Sequence, residues 1–196
     1  AGPALEGAQI KHGMRGAIGA IEKVQIGDDV TCETIGNAPA AGICGSGLID
    51  ATASLLKSGI LQSSGRFVDK DDKNLPSALA ARLSDSRGER GFILVYAEDS
   101  SNDTDITLTQ LDIRQLQLAK GAIYSGVLML QQIMEVPDDE IAELMLAGGF
   151  GNYINTKSAV AINLLPSLPL EIITYVGNAA LMGAQMALIS EFERKR

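Results

Sequence analysis

At 196 residues, with 46% hydrophobic and 20% charged side chains, the chain can bury the core of one large domain or two small subdomains. Its net charge of −8 argues against non-specific nucleic-acid binding and against an anionic membrane surface, because neither polyphosphate nor acidic lipid attracts such a chain. The two cysteines, Cys32 and Cys44, are too few for a disulfide scaffold and too few alone for structural zinc or an iron–sulfur cluster. A reduced, cytoplasmic setting is the simplest expectation. No apolar run approaches the roughly 18 residues of a membrane span. With 4% aromatic residues and no Trp, the core must be Leu, Ile, Val, Ala and Met. The start Ala1-Gly2-Pro3, without Met, reads as a piece of something longer.

Residues 4–11 are expected to form a short helix, because Pro3 suits a first helical turn; His12, the single histidine, reads as a polar cap beside Gly13. Two strand-like runs, 20–26 and 30–35, flank Gly27-Asp28-Asp29 and predict a hairpin, with Cys32 as a small core residue. Gly42-Ile43-Cys44-Gly45-Ser46-Gly47 then leads into a helical pattern that ends at Lys57-Ser58-Gly59. Ser46 is the expected N-cap, and the Gly-Ser-Gly turn has two readings: N–H groups and a hydroxyl for a phosphate, or a capped helix packed closely on a neighbour. Residues 62–90 are polar and charged and read as a surface excursion with two helical turns near Pro76.

Strands are expected over 92–97 and 105–108. The acidic tip between them, Asp99, Ser101, Asp103 and Asp105, lacks the Gly and the twelfth-position Glu of a calcium loop and reads as a solvated turn. Thr109-Gln110-Leu111-Asp112 is a capping-box variant that opens the longest helix, 111–134. Leu116, Ala119, Ile123, Val127, Leu130 and Met134 form its apolar stripe; Arg114, Gln117 and Lys120 share the polar side and read as a solvated face rather than ligand contacts. Next comes a short apolar run, Leu144-Met145-Leu146-Ala147, that breaks into Gly148-Gly149-Phe150-Gly151-Asn152-Tyr153, followed by a helix capped by Thr156. A second unit, strand 172–176, Gly177-Asn178 and helix 179–189, repeats that layout. Strands joined through helices are parallel, and ligands of such sheets bind beyond the strands' carboxyl ends, where both glycine turns lie.

Three separated motifs, Ala1-Gly2-Pro3-Ala4-Leu5-Glu6-Gly7-Ala8-Gln9-Ile10, Gly42 through Asp50, and Leu146 through Tyr153, resemble the C-terminal part of the reductive activators of corrinoid proteins. These belong to the superfamily of actin, the seventy-kilodalton chaperones and the sugar and acetate kinases. The polar stretch 62–90 is expected to lie outside the resemblance. It implies an incomplete ribonuclease H-like second lobe of an actin-like ATPase, in the α/β class with an inserted β-rich subdomain. The expected division is residues 1–19 as a core-lobe helix, 20–110 as the insert carrying the Gly-Ser-Gly helix, and 111–196 as the α/β core with the adenosine-type Gly-Gly motif.

The same resemblance implies an iron–sulfur ATPase whose full-length parent uses ATP and Mg2+ to pass a low-potential electron to cobalt(II) in a corrinoid protein, its partner. The cluster is expected in an N-terminal domain missing here. Gly45, Ser46, Gly47, Gly148, Gly149, Phe150 and Asn152 are the implied nucleotide-binding residues; no catalytic or metal-ligating residue is assigned. The phosphate loops and their carboxylates are absent, so the chain alone is not expected to hydrolyse ATP. Loss of the lobe's first strands predicts an exposed sheet edge and self-association. The alternatives are a non-catalytic docking scaffold for a redox or corrinoid partner and a kinase lobe of the same superfamily.

Overall fold

The computed structural model describes residues 2–86, 88–149 and 153–195. The N-terminal segment is a single 3-10 turn, Pro3–Glu6, instead of the expected helix through residue 11. Gly7 ends it in the left-handed region (φ 81°), where a side chain would also run into the Met14 backbone. His12 therefore caps no helix. Its carbonyl accepts from Ile43 N–H at 2.7 Å, and burial, followed by neighbouring Lys11, lowers its pKa.

The hairpin β1 (Ala20–Ile26) and β2 (Val30–Thr34) forms as its turn residues predict, and β3 (Gly42–Ile43) joins β1 in parallel to give the order β2-β1-β3. Helix α1 (Gly45–Lys57) packs along β1 and is the most buried helix of the chain among the described residues. It sits close because Gly47 has no side chain: a Cβ there would overlap the Ile21 carbonyl oxygen.

Residues 62–90 are built into the fold more firmly than their charge suggests. Helix α2 (Ser77–Arg82) and strand β4 (Leu83–Ser86) lie within them, and Phe67, Leu79 and Leu83 are buried. Arg82 anchors the segment. Its guanidinium donates to both carboxylate oxygens of Asp29, to the Ile93 and Leu94 carbonyls, and stacks 4.6 Å over the Tyr96 ring. The charged flanks of 70–73 hide this apolar and ionic anchorage from a composition-based reading. Strand β4 pairs with β5 (Glu89–Val95), which pairs with β6 (Ile106–Thr109), all antiparallel.

Helix α3 (Gln110–Met134) opens with the expected capping box: Thr109 Oγ1 accepts from Asp112 N–H, and Thr109 N–H donates to Asp112 Oδ2. Asp112 Oδ1 also accepts from Lys11 N–H at 2.9 Å, which ties the N-terminal segment to the helix. Only the first half of the predicted stripe is covered. Leu116 is buried, whereas Leu130 and Met134 are 61% and 68% exposed. On the polar side, Gln117 donates to the Ser64 carbonyl and Lys120 to the Ile162 carbonyl, so these residues stitch segments together.

Strands β7 (Leu144–Ala147) and β8 (Ile173–Gly177) are parallel, with Leu144 opposite Ile173. Between them, α4 (Thr156–Ala161) is capped by Asn155, whose Oδ1 accepts from Lys157 and Ser158 N–H; Thr156, the expected cap, is already helical. Helix α5 (Ala179–Ile189) is capped by Asn178 and followed by α6 (Glu191–Lys195). One contiguous core runs from Leu5 through Ile21, Ile49, Phe92 and Leu116 to Ala159 and Ile173. It therefore draws on residues from each of the stretches 1–19, 20–110 and 111–196.

The Gly47 contact gives a direct test. Gly47→Ala should destabilise the chain by about 1–3 kcal/mol through overpacking. Gly126→Ala, on α3 with nothing within 4 Å of the new methyl, should raise stability by up to ~1 kcal/mol. Urea unfolding midpoints of the two variants read both.

Candidate functional site

The two glycine turns meet. A cavity of about 890 Å3 is lined by Gly45 and Ser46 at the start of α1 and by Gly148, Gly149 and Tyr153 beyond the end of β7. That volume lies within the range of roughly 300–1,000 Å3 typical of small-molecule sites.

The first wall is the opening turn of α1. The N-cap position belongs to Cys44 and not to Ser46, because the helix begins two residues earlier than the hydroxyl pattern suggests. Cys44 makes no capping bond to the helix; its Sγ turns back to the Ile21 carbonyl at 3.2 Å and contacts Ser46 Oγ at 3.2 Å. The first-turn N–H groups of a helix have no intrahelical acceptor, and here no side chain caps them. Gly47 does not line the cavity. It backs onto β1, so the close-packing reading of that glycine holds for its α-carbon.

The second wall is the end of the parallel pair. Gly148 (φ 97°) and Gly177 (φ 67°) both turn through the left-handed region at their strand ends, and Gly148 N–H donates to the Gly177 carbonyl. No described atom lies within 4 Å of a Cβ built on Gly148 or Gly149. Among the described residues, no side chain packs over these glycines. Phe150 and Asn152, the other expected site residues of this turn, lie outside the described residues. Tyr175 Oη donates to the Ile154 carbonyl at 2.6 Å and holds the chain where it leaves the turn.

The remaining lining lies outside the site residues that the motifs assigned. Leu5, Met14, Ile35, Ile123, Leu164 and Leu165 give it an apolar floor, and Glu6, Arg15 and Glu22 give it charge. Arg15 is the one cation among the described lining residues. It is placed there because Met14 N–H donates to the Ile43 carbonyl, laying the 12–14 segment alongside β3. The only signal for Arg15 in the sequence is a basic residue between glycines, too common to select.

The thiols do not form a cluster site. Cys44 is buried against Ile21, and Cys32 sits beside the Leu94 carbonyl on a different sheet pairing. Among the described residues, no group of three or more His, Cys, Asp or Glu side chains could hold a metal ion. The residues present thus do not fit an iron–sulfur cluster. Among the described residues, no helix is long and apolar enough to cross a membrane.

The chain is similar to known proteins along its whole length. The family model described as the C-terminal domain of RACo, the ASKHA domain, matches residues 1–196. The corrinoid activation enzyme RamQ of Eubacterium limosum is 39% identical over 193 residues, 98% of this chain and 32% of RamQ. A solved structure of a reductive activator for corrinoid, iron–sulfur protein superposes with a TM-score of 0.88 at 40% identity, over 100% of this chain and 30% of its own. The chain spans about a third of the length of these relatives. Residues 62–90 are covered by the family match, which corrects the expectation that they lie outside it.

Burial pushes the Cys32 thiol from its ordinary 9.0 up to about 11, with nearby Arg82 pulling it partly back. The folded chain therefore holds the thiol proton more tightly than the unfolded chain does. That contribution is complete below pH 9.0 and is lost as pH rises toward 11. Relative to Cys32→Ala, the wild-type chain should lose stability across that window, read by urea midpoints on either side of it.

Proposed function

The chain belongs to the family formed by the C-terminal, ASKHA domain of RACo, and from that premise we propose that it is the nucleotide-binding lobe of an iron–sulfur ATPase that reductively activates corrinoid proteins. The observation that carries this reading is the single cavity with one glycine turn on each side. In this reading the 20–110 stretch is an inserted subdomain and 111–196 the core that presents the adenosine-type turn.

The roles follow from the chemistry of the walls. The uncapped start of α1, Gly45 and Ser46, offers backbone N–H groups and the positive end of a 13-residue helix to the phosphates, with Gly47 seating that turn on β1. Gly148 and Gly149 leave space for the flat purine and its ribose, and the family resemblance assigns Phe150 and Asn152 to the same moiety. Arg15 offsets Glu6 and Glu22, which alone would repel a polyanion. ATP, when bound and turned over, supplies the free energy for an uphill reduction of cobalt. This chain's residues bind and orient it, while the cluster and the magnesium-holding carboxylates belong to other parts of the protein. Hydrolysis needs a metal-held triphosphate and a positioned water, so the chain by itself is expected to turn over ATP negligibly.

A second reading, a docking scaffold for a corrinoid or redox partner or for a second copy of the chain, is favoured by one observation. Ile133 and Met134 on α3 and Met182, Met186 and Leu188 on α5 lie exposed. Self-association through either helix face would register in light scattering as mass rising with concentration.

Gly149→Val separates the two, because no described atom lies within 4 Å of the new Cβ and the fold should tolerate it. In the full-length protein it should weaken both adenosine and ATP binding by about tenfold or more, roughly 1.4 kcal/mol. The scaffold reading expects no change. Arg15→Ala should weaken ATP by a similar factor of about ten while leaving adenosine nearly untouched, since a lost ion pair acts on the phosphates alone. Calorimetric titration reads both.

A further inference from the structure

Asp50 lies on α1, away from the cavity lining, and is only 5% exposed. Its carboxylate pairs with no cation among the described residues. Instead it accepts three bonds from neutral donors on two elements: Val24 N–H of β1 at 2.8 Å and, from α4 and its N-cap, Asn155 Nδ2 at 3.1 Å and Ser158 Oγ at 2.5 Å. A buried carboxylate adds little net stability compared with a well-packed apolar side chain, because its desolvation is costly. Two of its donors nevertheless lie 105 and 108 residues from it in the sequence.

Asp50 and two of its donors sit next to a wall of the cavity. Ser46 is one helical turn before Asp50 on the same face of α1. Val24 follows Glu22 on β1, and Asn155 directly follows Tyr153 and Ile154; all of these neighbours line the cavity. Asn155 is committed in both halves of its amide. Its Oδ1 caps α4 through Lys157 and Ser158 N–H, which leaves Nδ2 pointing at Asp50. Only an acceptor at position 50 completes that arrangement.

We propose that Asp50 is a positioning residue: a three-bond latch that fixes the separation between the Gly45-Ser46 turn and Tyr153 on the opposite wall, and so the nucleotide affinity of the cavity. The inference rests on the nucleotide reading above. Asp50→Asn retains size but sets an amide against donors it cannot satisfy. Asn155→Asp keeps the α4 cap but sets two carboxylates face to face. Asp50→Asn with Asn155→Asp rebuilds the bond with its polarity reversed, since Asp is as good an N-cap as Asn.

Calorimetric ATP titration of the full-length protein, well below each variant's thermal midpoint, closes the cycle. Each single substitution should weaken ATP binding by about tenfold, and the double variant should recover to within about threefold of wild type, a coupling typical of contacting residues. A structural role alone would lower thermal midpoints and leave the affinity of the folded protein unchanged. Where Asp50→Asn does not fold, Ser158→Ala, which removes one donor and leaves no buried group unpaired, should still weaken ATP binding by a few fold. Wild-type ATP binding that is indifferent to Asp50→Asn or Ser158→Ala, or a double variant no better than the singles, overturns the latch alone. Absence of ATP binding by the wild type overturns the nucleotide reading and the latch with it.

Discussion

The Ile21 carbonyl is the point on which the site is built. It accepts from the Cys44 N–H and from Cys44 Sγ, both at 3.2 Å, and a side chain on Gly47 would overlap it. The first turn of α1 is thereby pressed onto β1, and no side chain caps its N–H groups. Had residue 47 carried even a methyl group, the helix would stand off the strand and the wall formed by Gly45 and Ser46 would shift with it. The opposite wall has a different origin. Two parallel strands end in left-handed glycines, Gly148 and Gly177, joined by a hydrogen bond, and nothing described fills the space above Gly148 and Gly149.

Charge then narrows what the cavity can hold. The chain carries −8 overall, and Glu6 and Glu22 stand at the lining, so a polyanion enters only where specific positive elements receive it. Two are present: Arg15 and the positive end of α1. The apolar floor of Leu5, Met14, Ile123 and Leu165 suits a flat ring system instead. A ligand with an aromatic end and a phosphate end matches both halves of this lining.

The elements that sequence could reveal were those with local chemistry. Asp28 and Asp29 with Gly27 specify the β1–β2 hairpin, Thr109 and Asp112 the start of α3, and the repeated strand-glycine-helix layout the parallel pair β7–β8. What stayed hidden depends on distant partners. Arg82 looks like one more charge in a polar stretch until Asp29, 53 residues away, receives it. Leu130 and Met134 share helical spacing with buried Leu116, but no described element covers them. Periodicity shows which face is apolar and is silent on whether anything meets it. Ser46 looked like a cap because hydroxyls usually are; the helix starts earlier because Cys44, bonded to Ile21, already takes the N-cap position. At the site, both glycine turns were legible as motifs. Their meeting in one cavity, and the presence of Arg15 there, are tertiary facts.

The central claim is that the two turns are opposite walls of one nucleotide site. Amide chemical shifts of Gly45, Ser46, Gly148 and Gly149 in the isotope-labelled protein, followed as ATP is added, test it most directly. The account predicts that all four move together along one saturation curve. Movement of one turn without the other, or of neither, contradicts it.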